Sequence, residues 1–481
     1  MSAERLQNYV GGRWVAVAEG PEHEVRNPAT AEVIARCPLS SASEVDAALK
    51  DARGAFDGWR RTPVEDRVQH LFRLKSLLEQ HAEELAAIVT RENGKTLPEA
   101  RGSVRRGIQM VEVACGAPSM LMGQSLEDIA RGIDCESVRQ PMGVFACIAP
   151  FNFPAMVPMW FFPFAVACGN TFVCKPSEQT PLSQAFVWEL IHEAGFPPGV
   201  LNLVHGGREC VDALLVHPEL AGVSFVGSSP VAEYVYKTAA AHGKRVQALG
   251  GAKNFIIVMP DADLDHALDS ITESAYGCAG ERCLAASVVL PVGEVHAQVR
   301  EGLAQRIAQL KVGDGAQADT TMGPVISAAA KERVLAYIEK GIEEGAELVV
   351  DGRENAPEGA GYFVGPTLFD QVRPDMSVGH DEIFGPLLCI TPAKDLDEAL
   401  TIASDHPLAN ASSIFTASGK SAREFRYRID ASMAGVNIGV AAPMSFFGFG
   451  GAKGSFFGDL KAHGREAFDF FTDRKVVISR W

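Results

Sequence analysis

The chain has 481 residues, of which 47% are apolar and 22% charged. This composition supports a large buried core and excludes a disordered or low-complexity protein. The 44 Lys and Arg residues are outnumbered by 60 Asp and Glu residues, which gives a net charge of −16. That balance argues against a nucleic-acid-binding protein, because such proteins usually present a basic face. At about 100–200 residues per domain, the length predicts two or three domains.

No part of the sequence has the features of a membrane helix or a secretory signal. The apolar run 156–168 contains Pro158 and Pro163 and is shorter than the roughly 20 residues that a spanning helix requires. Residues 1–7 carry charges of both signs and no apolar stretch. We therefore expect no membrane segment and a cytoplasmic location.

The ten cysteines are scattered along the chain without a CxxC pair. This arrangement argues against a zinc site and against a disulfide framework. We expect no metal site, and we expect most of the thiols to be small buried apolar side chains.

From Gly143 onward, short apolar runs alternate with helical stretches, which is typical of a parallel sheet covered on both faces. A helix is predicted from about residue 182 to residue 194, where Gly195 stops it. The predicted strands of this part are 144–148, 171–174, 200–204 and 223–226.

The strand 223–226 leads into Gly227-Ser228-Ser229-Pro230, where Ser229 is predicted to cap a helix that begins at Pro230. A helix N-terminus directly after a strand is a suitable place for a phosphate group. The alternative is that this unit binds nothing, as most such units do, and no GxGxxG sequence follows a strand here.

A second block begins near Lys253, with a predicted strand at 255–259 and a helix at 264–278. The block is long enough to have its own core. The segments 136–140 and 475–479 are predicted to be exposed strands at domain margins, and unpaired edges of that kind commonly pair with another subunit.

Two residues have local features of a catalytic site. Cys283 follows a helix end and a glycine, with Arg282 beside it, a setting that can favour the nucleophilic thiolate. An ordinary core cysteine is the alternative, which the local sequence alone favours. Asn152 lies in a turn fixed by Pro150 and Pro154, where its amide could donate to a developing oxyanion, although Asn in a turn more often bonds to nearby backbone.

Five ordered motifs decide between these alternatives, since together they resemble the aldehyde dehydrogenase superfamily over nearly the whole chain. The motifs are PFNFP at 150–154, VCKPSEQTP at 173–181, FVGSS at 225–229, CAGERC at 278–283 and EIFGP at 382–386. The resemblance implies an α/β fold with a Rossmann-like NAD domain, an α/β catalytic domain and a small oligomerisation element. By this resemblance the NAD domain comprises 1–120 and 142–252, the catalytic domain 253–455, and the oligomerisation element 121–141 and 456–481. It also implies a homo-oligomer, either a dimer or a tetramer.

The same resemblance implies a role for each matching residue. Cys283 corresponds to the nucleophile that attacks the aldehyde carbon, and Asn152 forms the oxyanion hole with the Cys283 backbone N–H. Without the resemblance, EIFGP would be no more than a Gly-Pro turn. The implied NAD contacts are Phe151, Lys175, Glu178, Ser228, Glu382 and Phe384, with Glu178 favouring NAD over NADP.

One position departs from the pattern of the hydrolytic members. Where they have a glutamate that activates water, this chain has Leu249, in the sequence Leu-Gly-Gly-Ala-Lys at 249–253. Without that carboxylate water is poorly activated, and the acyl-enzyme is expected to wait for a thiol such as coenzyme A.

This departure resembles the methylmalonate-semialdehyde dehydrogenase family, whose features recur at 97–101, 105–107, 252–254, 282–283 and 454–459. In that family two arginines, here Arg106 and Arg282, hold the substrate carboxylate, a task that suits the planar guanidinium. For Arg106 the alternative is a solvated charge on a helix face. Glu281 stands where the family usually has Gln, and Phe255 where it often has His.

The sequence thus predicts oxidation of malonate or methylmalonate semialdehyde with NAD and coenzyme A. The products would be acetyl-CoA or propionyl-CoA, NADH and carbon dioxide. One alternative is a hydrolytic aldehyde dehydrogenase with another base, such as Glu281. The other is a non-catalytic binding protein that retains the fold.

Overall fold

The computed structural model describes residues 4–481. Residues 1–3, which begin the segment predicted not to be a secretory signal, lie outside that range. No helix in the described part of the chain is long and apolar enough to cross a membrane. A cytoplasmic location stays a prediction.

The described chain alternates strands with helices. The first strands are β1 Glu4–Arg5, β2 Asn8–Val10, β3 Arg13–Val15, β4 Glu22–Arg26, β5 Val33–Pro38, β6 Gln124–Ala130, β7 Ile133–Pro141, β8 Val144–Ile148, β9 Thr171–Lys175, β10 Leu201–Leu203, β11 Leu220–Val226 and β12 Arg245–Leu249. The others are β13 Asn254–Val258, β14 Ala286–Pro291, β15 Glu347–Val350, β16 Thr367–Asp370, β17 Leu387–Ile390, β18 Leu408–Ala409, β19 Ala411–Phe415, β20 Met433–Val436, β21 Ala452–Lys453, β22 Phe456–Phe457 and β23 Thr472–Arg480.

The α-helices cover both large sheets. The first are α1 Ala42–Trp59, α2 Val64–Gln80, α3 Ala82–Asn93, α4 Leu97–Cys115, α5 Ala117–Met120, α6 Phe162–Ala167, α7 Leu182–Glu193 and α8 Arg208–Val216. The others are α9 Ser229–Ala241, α10 Leu264–Tyr276, α11 His296–Ile307, α12 Ala328–Glu343, α13 Ser377–His380, α14 Leu396–Asp405, α15 Gly419–Arg428 and α16 Gly464–Phe470.

The first large sheet has the order β22-β12-β11-β8-β9-β10-β2-β3, and its five central strands are parallel. Every residue of β8 and β9 is buried, as expected for strands covered on both faces. The predicted strands of this sheet are confirmed, with β10 shorter and β9 and β11 longer than predicted. The predicted helix is α7, and Gly195, at φ +73°, follows its end.

The second large sheet has the order β15-β16-β17-β14-β13-β19-β20 and is parallel except for β15. Its side chains form an apolar core separate from the cores of the first sheet. The prediction of a second block with its own core is therefore confirmed. The helix predicted to end at residue 278 ends at Tyr276 instead, because a 3-10 turn, Gly277–Gly280, follows.

One of the smaller sheets, called the small sheet below, has the order β23-β7-β6. Strands are present at both predicted positions, but β7 is half-buried rather than exposed, and the expectation that both are unpaired is wrong. They pair with each other along nine residues each, because the hairpin of β6 and β7 presents an edge that β23 joins. Phe456–Phe457 belongs to the segment that the resemblance assigns to the oligomerisation element. It pairs instead with Ala248 and Leu249 in the first sheet. The division into three domains stays a prediction.

Candidate active site

Four loops meet at one edge of the first sheet, where the carboxyl ends of its parallel strands lie. In α/β sheets ligands bind outside this edge. The loops follow β8, β9, β11 and β12, and they carry Phe151 and Asn152, Glu178, Ser228, and Gly251 respectively. Lys175 is the last residue of β9. The structure thus brings the predicted residues of this sheet to a single edge.

The loop that carries Cys283 begins with a left-handed turn. Cys278 and Ala279 have φ values of +51° and +52°, and Gly280 has +72°. A Cβ at Gly280 would lie 2.1 Å from the carbonyl oxygen of Gly385, so only glycine allows this loop to pack on the EIFGP turn. This contact joins the predicted nucleophile segment to the segment of Glu382 and Phe384.

Two asparagines hold the backbone of Cys283. Its carbonyl oxygen accepts hydrogen bonds from Asn254 Nδ2 at 3.0 Å and from Asn410 Nδ2 at 2.8 Å. Asn254 Oδ1 in turn accepts from the Ala411 backbone N–H at 3.1 Å. Neither asparagine is predicted as a site residue from the sequence, since nothing local indicates that these amides reach the nucleophile loop.

The pKa of the Cys283 thiol is shifted upward. Burial, followed by the nearby Glu382 carboxyl, raises its pKa from 9.0 to about 12. This shift runs against the expectation that the setting favours the thiolate, which stays a prediction. Arg282 offers little compensation, because its guanidinium is paired with Glu99 through Nη2 and Oε1 at 3.1 Å.

Asn152 lies against the nucleophile loop. Its side-chain Nδ2 donates to the backbone carbonyl oxygen of Glu281 at 3.0 Å. The backbone carbonyl oxygen of Asn152 accepts from Lys95 Nζ at 2.6 Å. The amide therefore bonds to backbone that is distant in sequence rather than local. Since a side-chain amide has two N–H donors, the second remains available to an oxyanion. The role of Asn152 in an oxyanion hole stays a prediction.

A cavity of about 190 Å³ opens beside Cys283. Arg106 and Arg282 both line it, so the structure brings the two predicted substrate-binding arginines together with the predicted nucleophile. Arg106 is half-buried, and its Nη2 donates to the carbonyl oxygen of Pro443 at 2.6 Å. It is therefore not a solvated charge on a helix face. The other lining residues are Gly102, Ser103, Phe153, Met156, Trp160, Leu284, Val440, Ala442 and Phe449.

None of the described residues that line this cavity is a carboxylate. Leu249 is 3% exposed and belongs to the same apolar core as Leu284, the residue after Cys283. The Leu249 side chain has no group that could accept a proton from water. The cavity is thus lined by two guanidinium groups, and none of its described lining residues supplies a carboxylate base.

Glu281, the alternative base, is poorly placed for that task. Its Oε1 accepts from the Ile326 backbone N–H at 3.3 Å, and it does not line the cavity of Cys283. Burial raises its pKa from 4.5 to about 8. A carboxyl group that is protonated near neutral pH cannot accept a proton from water.

Replacing this carboxyl group by an amide is expected to change turnover little. Glu281→Gln should keep its rate within about threefold, whereas loss of a general base would cost about 10²–10⁴-fold. Because the pKa of Glu281 is raised on folding, its contribution to stability is complete below pH 4.5 and is lost as pH rises through about 8. Thermal unfolding across this range should therefore show a smaller loss of stability in the variant, and a parallel loss would contradict the prediction.

The remaining predicted residues form a second group at the sheet edge. Lys175 Nζ and Glu178 Oε2 form an ion pair at 2.9 Å; burial raises the pKa of Glu178, but Lys175 outweighs this and lowers it. Glu382 Oε1 accepts from the Ala252 N–H at 2.7 Å, and burial raises its pKa to about 7. The rings of Phe151 and Phe384 meet edge to face at 5.8 Å.

The cap of α9 differs from the prediction. Ser228, not Ser229, is the N-cap residue, and the helix begins at Ser229. The Ser229 hydroxyl is engaged elsewhere, since it donates to the Gly454 carbonyl oxygen at 2.7 Å and accepts from the Gly251 N–H at 2.9 Å. Ser228 is exposed at the helix N-terminus, where backbone N–H groups favour an anion.

Comparison with known proteins shows the family of the chain. The aldehyde dehydrogenase family model matches residues 14–477. Malonate-semialdehyde dehydrogenase 3 of Geobacillus kaustophilus strain HTA426 is 54% identical over 477 residues, which is 99% of each chain.

Two crystal structures have the same fold along the whole chain. Methylmalonate-semialdehyde dehydrogenase from Oceanimonas doudoroffii has a TM-score of 0.98 at 44% identity, covering 100% of this chain and 99% of its own. A Sinorhizobium meliloti 1021 protein, provisionally named methylmalonate-semialdehyde dehydrogenase and crystallised with NAD, has a TM-score of 0.98 at 43% identity with the same coverage. The fold is thus that of an oxidoreductase with two large α/β sheets. The chain belongs to the aldehyde dehydrogenase family.

Proposed function

We propose that this enzyme oxidises malonate or methylmalonate semialdehyde with NAD and transfers the acyl group to coenzyme A. The observation that carries the proposal is the cavity beside Cys283, which has two arginines and no carboxylate among its described lining residues. Two guanidinium groups favour an aldehyde that bears a carboxylate. The names of the relatives, at 43–54% identity, point to the same substrates.

The residues at the sheet edge fit NAD. Glu178 offers a carboxylate to free ribose hydroxyls, which it would repel if they carried the 2′-phosphate of NADP. Ser228 lies at a helix N-terminus suited to a diphosphate. Glu382 and Phe384 would hold the nicotinamide ribose and ring, with Phe151 and Lys175 completing the contacts. NAD bound here would supply the hydride acceptor that converts a thiolate-bonded aldehyde into a thioester.

The protein's own residues would act on the aldehyde. Once the Cys283 thiol has released its proton to solvent, its Sγ bonds to the aldehyde carbon as the carbonyl π bond opens. The oxygen, which gains the negative charge, accepts hydrogen bonds from the free Asn152 N–H and the Cys283 backbone N–H. Arg106 and Arg282 hold the distal carboxylate and so orient the carbon toward the sulfur.

The thioester on Cys283 then awaits a nucleophile. Since the cavity's described lining holds no carboxylate base, the thiolate of coenzyme A is better suited than water to break the Cys283 acyl bond. A carboxylate β to a thioester carbonyl loses carbon dioxide through a stabilised enolate. The acyl-CoA products are accordingly acetyl-CoA from malonate semialdehyde and propionyl-CoA from its methyl homologue.

An assay of NADH formation across a panel of aldehydes tests this proposal. The panel contains malonate semialdehyde, methylmalonate semialdehyde, propanal and butanal, each with and without coenzyme A. We expect sustained turnover only with coenzyme A and a clear preference for the two semialdehyde acids. An enzyme that oxidises propanal as efficiently as the acids would contradict the substrate assignment.

Arg106→Met is expected to weaken binding of the acids selectively. Losing one charge-assisted pair should raise the KM for malonate semialdehyde by about 10–150-fold and leave the KM for propanal within about threefold. Steady-state kinetics on both aldehydes measure this. Arg105→Met is the matched control, because Arg105 is exposed on the same helix and pairs with Glu79 at 3.2 Å. Equal losses on both aldehydes would make Arg106 structural.

The small sheet supports a homo-oligomer. It exposes large apolar side chains, among them Leu126 at 65%, Val476 at 61% and Ile478 at 66%. Contiguous exposed apolar residues on a sheet favour self-association. We therefore retain the prediction of a dimer or tetramer assembled through β6, β7 and β23, which light scattering would test.

A further inference from the structure

Glu99 joins the helix of Arg106 to the loop of Cys283. Its Oε2 accepts from the backbone N–H and the hydroxyl of Thr96, both at 2.9 Å, which caps the N-terminus of α4. Its Oε1 accepts from the Cys278 N–H at 2.6 Å and from Arg282 Nη2 at 3.1 Å. One carboxylate therefore bonds to two elements that are far apart in the sequence.

The turn that Glu99 contacts is conformationally demanding. Cys278 and Ala279 are left-handed, a conformation that residues other than glycine rarely adopt. The bond from the Cys278 N–H to Glu99 holds this turn. The guanidinium of Arg282 also lies against Gly277, where an added Cβ would lie 2.3 Å from Nη2. Glu99 thus fixes both the turn before Cys283 and the side chain next to it.

Glu99 also makes the two cavity arginines unequal in charge. Arg282 faces a carboxylate at 3.1 Å, which offsets its positive charge. Arg106 lies seven residues after Glu99, two helical turns along the same face of α4. Within residues 4–481, its hydrogen-bond partner is the neutral carbonyl group of Pro443. Of the two arginines, Arg106 therefore presents the uncompensated positive charge to a ligand.

We propose that Glu99 is a positioning residue, which fixes the turn before Cys283 and offsets the charge of Arg282, so that Arg106 is the cation that selects a carboxylate-bearing aldehyde. The inference has two halves: Glu99 positions the turn before Cys283, and Arg106 selects the carboxylate-bearing aldehyde. Only the second half rests on the proposed function. The first half concerns the nucleophile and applies to any aldehyde.

The positioning half is tested with propanal, which carries no carboxylate. Glu99→Ala should lower kcat for propanal by about 10–100-fold, because a nucleophile displaced by about an ångström reacts that much more slowly. Glu99→Gln should restore kcat to within about threefold of the parent, since its amide oxygen can still accept from Cys278 and Arg282. Restoration by the amide separates positioning from the charge effect.

Glu44→Ala is the matched control. Glu44 caps α1 in the same way, accepting from the Ser41 N–H at 2.7 Å and from the Ser41 hydroxyl at 3.0 Å, but it contacts no residue of the active site. It should lower the melting temperature and leave kcat within about twofold. If Glu99→Ala behaves like this control, Glu99 is only a helix cap and the inference is wrong.

The charge half is tested with Glu99→Gln on both substrate classes. Removing the carboxylate leaves Arg282 uncompensated, so kcat/KM for malonate semialdehyde relative to propanal should rise by about 3–10-fold. An unchanged or lower ratio would overturn the charge assignment. A parent enzyme with no preference for the acid would instead overturn the proposed function, and the propanal experiment would still decide the positioning half.

Discussion

Cys283→Ala is expected to abolish aldehyde oxidation. Removing a covalent nucleophile costs about 10⁴–10⁶-fold in turnover, because the activated thioester cannot form. Cofactor binding should remain near that of the parent, since the thiol lies outside the group of Lys175, Glu178 and Ser228. NADH formation measures the first effect and NAD titration by fluorescence the second.

The parent enzyme provides the complementary observation. Incubated with aldehyde and NAD but no coenzyme A, it should carry an acyl group on Cys283 that mass spectrometry can locate. Cys278 is the informative comparison, because it is buried five positions earlier in the same loop. An adduct on any cysteine other than Cys283 would refute the assignment of the nucleophile.

A burst of NADH followed by arrest is expected when coenzyme A is absent. Without a base to activate water, about one NADH should form for each active site and the thioester should then accumulate. Added coenzyme A should restart turnover at once. Rapid-mixing absorbance at the NADH band resolves both phases, and Cys283→Ala, which should show no burst, is the control.

Sustained NADH production without any thiol would show that another group activates water. The coenzyme A assignment would then have to be withdrawn in favour of hydrolysis. Leu249→Glu is a weaker test, because this site is 3% exposed and burial raises the pKa of a carboxyl group placed there. Its failure to hydrolyse the thioester would therefore decide nothing, and the burst remains the stronger experiment.

The strands and helices of the two large sheets were predictable because their signals are local. Continuous apolar runs such as β8 and β9 are typical of buried parallel strands, and Gly195 ends α7 by its left-handed conformation. The cap of α9 was misplaced by one residue, because two adjacent serines are equally good caps. What separates them is that the Ser229 hydroxyl bonds to the distant Gly454 and Gly251.

The hydrogen bonds and ion pairs that connect the site residues were not predictable, because they join residues far apart in the sequence. Glu99 and Arg282 are separated by 183 positions, and Asn410 and Cys283 by 127. Neither pair has a signature in its own neighbourhood. The pKa of Cys283 is a further example: the adjacent arginine favours a thiolate, but burial and the Glu382 carboxyl, 99 positions away in the sequence, raise the pKa.

The path of the chain beyond Phe449 has a consequence for biosynthesis. Phe449 forms part of the cavity wall, Phe456–Phe457 closes the edge of β12, and β23 closes the edge of β7. A ribosome adds about 5–20 residues each second. Phe456–Phe457 and β23 therefore emerge after all of the other strands of the first large sheet and of the small sheet, respectively. The nascent chain therefore carries two open strand edges and an incomplete pocket until this stretch has been made. During that interval it is exposed to mispairing with other chains, and it cannot yet turn over substrate.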